Sequence, residues 1–219
     1  MAKENLSLYH IVRESSITNG NSPVLIMLHG YGSDENDLFS FASELPEELY
    51  IISVRAPHTL QPYGNAWYAI NPNAEKGKWS DNEQAIQSRD LIATFIDEVC
   101  KTYPVDATNV TLLGFSQGTI LSYAVALTYP EKVKHIIALS GYINTDIIPQ
   151  NFQNYDYSKL DFYCSHGSVD QVIPVAWARQ TPAILESLNI KYKYSEFPVG
   201  HGVAPQNFHE LKAWLKDRI

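Results

Sequence analysis

Val110-Thr111-Leu112-Leu113-Gly114-Phe115-Ser116-Gln117-Gly118 is the stretch of the chain from which its fold can be inferred. An apolar run leads here into a serine with a glycine two residues before and two residues after it, and a segment with helical character, 119–129, follows. Strand, tight turn and helix in this order form a nucleophile elbow, which projects a serine hydroxyl from the end of a sheet. We expect glycine at both positions because the strained turn leaves no room for side chains. Ser116 is therefore the candidate nucleophile.

The composition is that of an ordinary globular protein. Of the 219 residues, 45% are hydrophobic and 18% are charged, which argues against disorder. The net charge of -8 disfavours nucleic acid or an anionic membrane as a partner. The start, Met-Ala-Lys-Glu-Asn, lacks the apolar core of a signal peptide, and no run approaches the ~20 apolar residues of a membrane span. We expect a single domain, residues 1–219, that is cytoplasmic and not integrated in a membrane.

Short apolar runs alternate with helical patterns along the chain. Strands are predicted at 24–28, 50–54, 110–113, 135–139, 162–164 and 192–196, with an edge strand at 6–13. Helices are predicted at 35–45, 82–103, 119–129, 175–188 and 206–216, and Ser80 with Glu83 forms a capping box before the second of these. The alternation predicts a mostly parallel central sheet with helices on both faces. The irregular segment 56–78 is long enough to indicate a functional loop.

A serine nucleophile needs a base, a carboxylate that orients the base, and donors for the oxyanion. His201 is the candidate base, because glycines flank it in a loop after the last predicted strand. Asp170 is the candidate acid, because it follows strand 162–164 and so lies at the same edge of a parallel sheet as Ser116. Asp161 begins that strand and belongs to the opposite edge. Glu196 remains an alternative acid if the last strand ends early.

The other histidines and the two cysteines are predicted to have structural roles. His166 is expected to shape the loop before Asp170 rather than act as a base. Packing, edge or solvated positions are expected for His10, His58, His135 and His209. The two cysteines, Cys100 and Cys164, lie in apolar runs and are predicted to be buried free thiols.

The motif His29-Gly30-Tyr31-Gly32 follows strand 24–28 and is predicted to form an oxyanion turn. The backbone N–H groups of Tyr31 and Gln117 are the candidate donors, and His29 is expected to brace the turn. A glycine-rich turn without function is the alternative. A phosphate site is disfavoured, because the chain contains neither Gly-x-Gly-x-x-Gly nor Gly-Lys-Ser/Thr. No His-Glu-x-x-His or Cys-x-x-Cys motif suggests a metal site.

These motifs together resemble one family. His29-Gly30-Tyr31-Gly32-Ser33-Asp34-Glu35-Asn36-Asp37, Gly114-Phe115-Ser116-Gln117-Gly118, Leu139-Ser140-Gly141, His166-Gly167-x-x-Asp170 and Gly200-His201 are similar to the carboxylesterase/phospholipase branch of the α/β-hydrolases, which includes the acyl-protein thioesterases. The similarity extends from about residue 23 to the C-terminus. It implies an α/β-hydrolase fold without a large lid domain, and hydrolysis of carboxylic esters or thioesters through an acyl-enzyme on Ser116. It also implies that no cofactor is needed and that a homodimer is a candidate assembly.

Six side chains are predicted to form an apolar wall for a small or lipid-like acyl group: Trp67, Tyr68, Tyr142, Ile143, Val172 and Ile173. Ordinary packing is the alternative for each of them. The loop 66–71 lacks the acidic residue that eukaryotic acyl-protein thioesterases tend to carry soon after a Trp, which weakens the transfer of a thioesterase substrate to this chain. The preference for ester or thioester remains open. A non-catalytic binder on the same fold is the alternative from another class, and an intact triad argues against it. A serine peptidase on this fold would usually carry an additional domain.

Overall fold

The computed structural model describes residues 6–71 and 80–219. The strands are β1 (His10–Arg13), β2 (Ser22–Leu28), β3 (Tyr50–Val54), β4 (His58–Thr59), β5 (Asn65–Ala66), β6 (Val105–Phe115), β7 (His135–Leu139), β8 (Asp161–Gly167) and β9 (Lys191–Phe197). The helices are α1 (Asn36–Phe39), α2 (Asn82–Thr102), α3 (Gln117–Thr128), α4 (Val175–Ala178), α5 (Thr181–Ser187) and α6 (Pro205–Lys216). Within the described ranges, every helix is too short or too polar to cross a lipid bilayer.

Seven strands form one sheet in the order β1-β3-β2-β6-β7-β8-β9. β1 pairs with β3 in the antiparallel sense at one edge, and all the other neighbours pair in parallel. The predicted mostly parallel sheet with an edge strand is therefore confirmed. Because β2, β6 and β8 run in the same direction, the turns that follow them lie together at the carboxyl ends of the strands.

Side chains alternate between two apolar layers, one on each face of the sheet. In β2, Val24, Ile26 and Leu28 pack into one layer, whereas Leu25 and Met27 pack into the other. The first layer also contains the buried faces of α2 and α3, and the second contains those of α1 and α6. Helices therefore cover both faces, as the sequence predicts.

Two predicted helices are interrupted. The helix expected at 35–45 is divided into α1 and one 3₁₀ turn, Ala42–Glu44. The helix expected at 175–188 is divided into α4 and α5, and Pro182 lies in the first turn of α5. Proline lacks an amide N–H and its ring clashes with the carbonyl four residues earlier, so a continuous helix through this position is disfavoured.

The predicted capping box at the start of α2 is wrong. Asp81 is the N-cap residue, and its carboxylate accepts a hydrogen bond from the Gln84 amide at 3.0 Å. Ser80 instead forms an isolated β-bridge with Ile70, which leaves the cap position to the following residue. An aspartate at the N-cap is as favourable as serine, so the helix start at Asn82 is unchanged.

The long segment predicted to be irregular contains a small hairpin, β4 and β5. Its part at 72–78 lies outside the described residues, as does the polar start at 1–5. Both cysteines are free thiols, as predicted. Cys164 is buried and its burial raises the pKa of the thiol to about 12, whereas Cys100, near the end of α2, is only half-buried, which corrects the prediction for that residue.

Candidate active site

The turn between β6 and α3 places Ser116 at the carboxyl edge of the sheet. Ser116 has φ 54° and ψ -116°, a strained conformation for a residue other than glycine. A Cβ atom at Gly118 would lie 1.9 Å from the Leu28 carbonyl oxygen, and one at Gly114 would lie 2.5 Å from the backbone of Gly118. The turn therefore requires both glycines, which confirms the steric prediction for the pentapeptide.

The structure places His201 within hydrogen-bond distance of both Ser116 and Asp170. His201 Nε2 lies 2.9 Å from Ser116 Oγ, and His201 Nδ1 lies 2.7 Å from Asp170 Oδ2. The Phe115 ring packs against the imidazole with centroids 5.0 Å apart, which restricts rotation of the ring. When Nδ1–H donates to the carboxylate, Nε2 is left as an acceptor facing the serine hydroxyl. This arrangement can remove a proton from Ser116.

The Asp170 carboxylate is held by two backbone amides as well as by His201. Its Oδ1 accepts hydrogen bonds from Val172 N at 2.8 Å and Ile173 N at 3.0 Å. Burial acts to raise the pKa of Asp170, but the hydrogen bonds from His201 and the two amides outweigh it, so the pKa lies below its usual range. Asp170 is therefore ionised at neutral pH and can accept the His201 Nδ1–H.

A second histidine, His166, lies against the same carboxylate. His166 Nε2 is 2.9 Å from the Ile173 carbonyl oxygen and 3.3 Å from Asp170 Oδ2. A carbonyl only accepts, so Nε2 carries the proton, and Nδ1 is buried with no partner among the described residues. His166 therefore fixes the loop that carries Asp170, as predicted, and has no nitrogen available to Ser116.

The turn after β2 lies against the elbow. A Cβ atom at Gly30 would be 3.2 Å from the Phe115 ring and 3.3 Å from the Ser116 Cβ, so a side chain here would be crowded against the elbow. The His29 ring braces the turn: Nδ1–H donates to the Gly30 carbonyl at 2.7 Å, and Nε2 accepts from the Ala56 amide at 3.0 Å. Burial lowers the pKa of His29, which favours the neutral ring that these bonds require. The turn therefore brings Gly30, and with it the neighbouring Tyr31, close to Ser116.

A cavity of about 440 Å³ opens at Ser116. Its lining residues are Gly30, Tyr31, Tyr68, Ile70, Ser80, Phe115, Ser116, Gln117, Ile120, Tyr142, Gln171, Val172, Ile173, Pro174, Trp177 and His201. In the part of the chain that the structure describes, no Asp, Glu, Lys or Arg lines it. The cavity therefore favours an uncharged group.

Four of the six predicted wall residues lie in this cavity: Tyr68, Tyr142, Val172 and Ile173. The predictions for Trp67 and Ile143 are wrong. Trp67 is completely buried, and its indole N–H donates to the His29 carbonyl at 2.9 Å. Ile143 packs into the apolar layer that contains α2 and α3.

Several wall residues were missed by the sequence prediction. Ile120 lies in the first turn of α3, four residues after Ser116 at the N-cap, so helical periodicity could have placed its side chain near the serine. Trp177 lies in α4, a few residues beyond the predicted Ile173, and its ring packs on Tyr142 with centroids 5.1 Å apart. Ile70 carried no comparable signal, because its segment has no regular pattern.

Asp161 and the alternative acid, Glu196, both pair with other side chains. Asp161 begins β8 at the opposite edge, where it pairs with His135 and Arg218. Glu196, near the end of β9, forms two hydrogen bonds of 2.7 Å with the Arg179 guanidinium. Within residues 6–71 and 80–219, no group of His, Cys, Asp and Glu side chains could hold a metal ion.

Comparison with known proteins matches residues 13–219 to the phospholipase/carboxylesterase family. Lysophospholipase-like protein 1 of Mus musculus is 24% identical over 222 residues, which cover 93% of this chain and 90% of the relative. Acyl-protein thioesterase 1 of Emericella nidulans is 26% identical over 226 residues, which cover 91% of each chain.

Solved structures are similar over almost the whole chain. The crystal structure of esterase PE8 has a TM-score of 0.85 at 24% identity and covers 97% of this chain and 99% of its own. The Bacillus cereus carboxylesterase has a TM-score of 0.83 at 21% identity and covers 98% and 96%. The predicted α/β-hydrolase fold without a large lid domain is thereby confirmed.

Proposed function

Since the chain belongs to the phospholipase/carboxylesterase family, we propose that it is a serine hydrolase that cleaves carboxylic esters or thioesters of small to medium acyl chains through an acyl-enzyme on Ser116. The single observation that carries the proposal is the hydrogen-bonded series from Ser116 Oγ through His201 to Asp170, at 2.9 and 2.7 Å. The series ends beside an uncharged cavity, where an acyl group can reach the serine.

Acylation uses each of these groups in turn. His201 Nε2 takes the Ser116 proton while Oγ attacks the acyl carbonyl, and Asp170 stabilises the imidazolium that forms. The Tyr31 and Gln117 amides donate to the oxyanion of the tetrahedral intermediate. His201 then gives its proton to the departing alcohol or thiol. General-base catalysis contributes about 10²–10⁴-fold and an oxyanion donor about 10²–10³-fold.

Deacylation repeats the sequence with water as the nucleophile. His201 removes a proton from a water molecule, which attacks the acyl carbon on Ser116. The same two amides stabilise the second oxyanion. Collapse of the intermediate breaks the bond to Oγ, returns the proton to Ser116 and releases the carboxylic acid.

The cavity supports a neutral, apolar acyl group. A carboxylate or ammonium on the acyl chain would lose its hydration against walls of Tyr, Ile, Val, Pro and Trp, without an opposite charge among the described residues. The exposed apolar side chains Tyr31, Ile70, Val172 and Trp177 surround its mouth. They could cover part of a longer acyl chain outside the cavity.

That mouth, together with the relatives named lysophospholipase-like protein and acyl-protein thioesterase, favours a second candidate function, hydrolysis of long acyl chains from a lysophospholipid or a protein thioester. The two candidates differ in acyl length. Rates on p-nitrophenyl esters from C2 to C16, measured beside the matching acyl thioesters, separate them: a maximum at short chains supports the first, and one at C12 to C16 supports the second.

The triad assignment is tested with Ser116→Ala. We expect this variant to lose ester hydrolysis and fluorophosphonate labelling while its melting temperature stays close to that of the wild type. Ser187→Ala, at an exposed serine of α5, is the matched control and keeps both. Turnover in Ser116→Ala, or labelling of another residue, would contradict the assignment. A wild-type protein that binds esters without hydrolysing them would instead support the non-catalytic alternative.

A further inference from the structure

We propose that the Gln117 side chain is a positioning residue, which fixes the spacing between the two oxyanion donors, the Tyr31 and Gln117 amides. The inference rests on the proposed function, because it concerns the oxyanion hole of that reaction. From the sequence, Gln117 is expected to act only through its backbone N–H, as an oxyanion donor. The contacts of its side chain, which is buried, point to a second one.

A series of hydrogen bonds, called here the connection, joins the elbow to the turn that carries Tyr31. Its first part joins the elbow to the loop that follows β5. Gln117 Oε1 accepts a hydrogen bond from Trp67 N at 2.8 Å, and Gln117 Nε2 donates to the Tyr68 carbonyl at 2.7 Å. The primary amide thus binds an N–H group and a carbonyl of consecutive residues, in the manner of a neighbouring strand. Gln117 is 2% exposed, so these bonds are shielded from competition with water.

The second part joins the same loop to the oxyanion turn. The Trp67 indole N–H donates to the His29 carbonyl at 2.9 Å. On the other side of the turn, Gly32 N donates to the Asn65 carbonyl at 2.9 Å, and Asn65 N donates to the Ser33 carbonyl at 2.8 Å. The turn that carries Tyr31 is therefore bound to the loop both before and after that residue.

The connection sets an upper limit on the separation of the elbow and the turn, which their direct contacts do not. Gly118 lies against the Leu28 carbonyl and Gly30 lies against Ser116, closely enough that a Cβ atom at either glycine would be crowded. The backbone pairing of β2 with β6 holds the two segments together only as far as Leu28 and Gly114. Beyond that point, these repulsive contacts set the smallest separation of the turn and the elbow but do not prevent them from moving apart. The hydrogen bonds through Gln117 and Trp67 limit the largest separation.

Spacing matters because an oxyanion donor acts only at a defined distance. Donors contribute when they lie about 2.7–3.1 Å from the oxyanion, and a misplacement of about 1 Å can lower the rate by about 10²-fold. The ground-state substrate does not require both amides at that distance. Loss of the Gln117 side-chain bonds should therefore lower kcat more than it changes KM.

The main test is Gln117→Met, which keeps the length and flexibility of the side chain but removes both hydrogen bonds. We expect kcat for p-nitrophenyl butyrate to fall about 10- to 100-fold with KM within about threefold of the wild type. Ser122→Ala is the matched control, since it removes a buried hydrogen bond of 2.8 Å to the Gly118 carbonyl on the same helix. Its kcat should stay within about twofold of the wild type even if its melting temperature falls.

A second measurement separates positioning from a general loss of structure. A trifluoromethyl ketone forms a hemiketal with Ser116 Oγ: the new C–O bond forms, the carbonyl oxygen becomes the oxyanion, and His201 takes the serine proton. In Gln117→Met, we expect its Ki to rise by about the factor by which kcat falls. The Ki of the corresponding secondary alcohol, which forms no oxyanion, should be unchanged.

Trp67→Phe interrupts the same connection one step later, because it removes the indole N–H and keeps an aromatic ring. If both residues act through one connection, the double variant should lose little more kcat than the more impaired single variant. Multiplicative losses, a Gln117→Met kcat within threefold of the wild type, or equal rises of both Ki values would overturn the inference. Wild-type turnover that depends on Ser116 would leave the proposed function standing in each of these cases.

Discussion

Asp170→Asn is expected to lower kcat about 10⁴-fold while leaving the protein folded. The wild-type carboxylate has different partners on its two oxygens: Oδ1 accepts from the amides of Val172 and Ile173, and Oδ2 accepts from His201 Nδ1. Asparagine has only one oxygen. The substitution therefore forces a choice between the two sets of partners.

The structure indicates which set is kept. If the asparagine oxygen faced His201, its NH₂ group would meet the two backbone N–H groups, and leaving these unpaired would cost about 1–3 kcal/mol each. If the oxygen instead stays with the amides, the NH₂ group faces His201 Nδ1, and His201 can avoid two opposed donors by moving its proton to Nε2. That nitrogen then offers a proton to Ser116 and cannot take one. A 10⁴-fold loss corresponds to about 5.4 kcal/mol in the activation barrier.

The assay is hydrolysis of p-nitrophenyl butyrate from pH 6 to 9, together with thermal melts of both proteins. Asp156→Asn is the matched control, because this exposed aspartate accepts from the Ser158 amide through one oxygen that asparagine retains. We expect the control to keep full activity. A kcat for Asp170→Asn within 100-fold of the wild type, with the fold intact, would refute the argument about the tautomer of His201.

Gly118→Ala should lower the free energy of unfolding in urea by about 3 kcal/mol or more, because the new Cβ atom would lie 1.9 Å from the Leu28 carbonyl oxygen. Gly202→Ala is the control: no atom lies within 4 Å of its Cβ position, so its free energy of unfolding should change by less than about 1 kcal/mol. Equal losses in the two variants would count against the packing argument. Asp161→Asn should cost about 2 kcal/mol at pH 7, since a hydrogen bond to a charged group contributes about 1.5–3 kcal/mol. Burial acts to raise the pKa of Asp161, but its bonds to His135 and Arg218 outweigh burial and lower it, so this stabilisation is present above the unfolded pKa of about 3.9 and is lost as the pH falls through the folded pKa. A difference between wild type and variant that is the same at pH 7 and pH 3.5 would contradict this account.

The edge of the sheet at which each group lies could be predicted from the sequence because parallel strands share a direction. Ser116, Asp170 and His201 each follow a parallel strand, so their proximity could be predicted without any knowledge of side-chain contacts. The limits of β6 and β8 were less predictable, since pairing with neighbours extends a strand beyond its apolar run. Breaks inside the helical patterns depended on single residues such as Pro182.

Side-chain direction in the irregular segment could not be predicted. Trp67 was expected in the wall of the cavity, but its backbone pairs with the Gln117 side chain, and this turns the indole towards His29. The partners lie far apart in sequence, and no periodic pattern connects them. The start of α2 shows the same limit at short range: Ser80 and Asp81 are both good caps, and the bridge from Ser80 to Ile70 decides between them.

The support of Asp170 by the backbone of Val172 and Ile173 has a consequence for how such an enzyme can diverge. The same two residues present their side chains to the cavity, and Val172 is 63% exposed. Because the Asp170 carboxylate binds their amides, substitutions at these positions can change the shape of the cavity while Asp170 keeps its hydrogen bonds. Proline is the exception, since it has no amide hydrogen to donate. Under the proposed function, the side chains of Val172 and Ile173 act on selectivity while their amides act on catalysis, so substitutions at these two positions other than proline should shift acyl-chain preference and keep Ser116-dependent turnover.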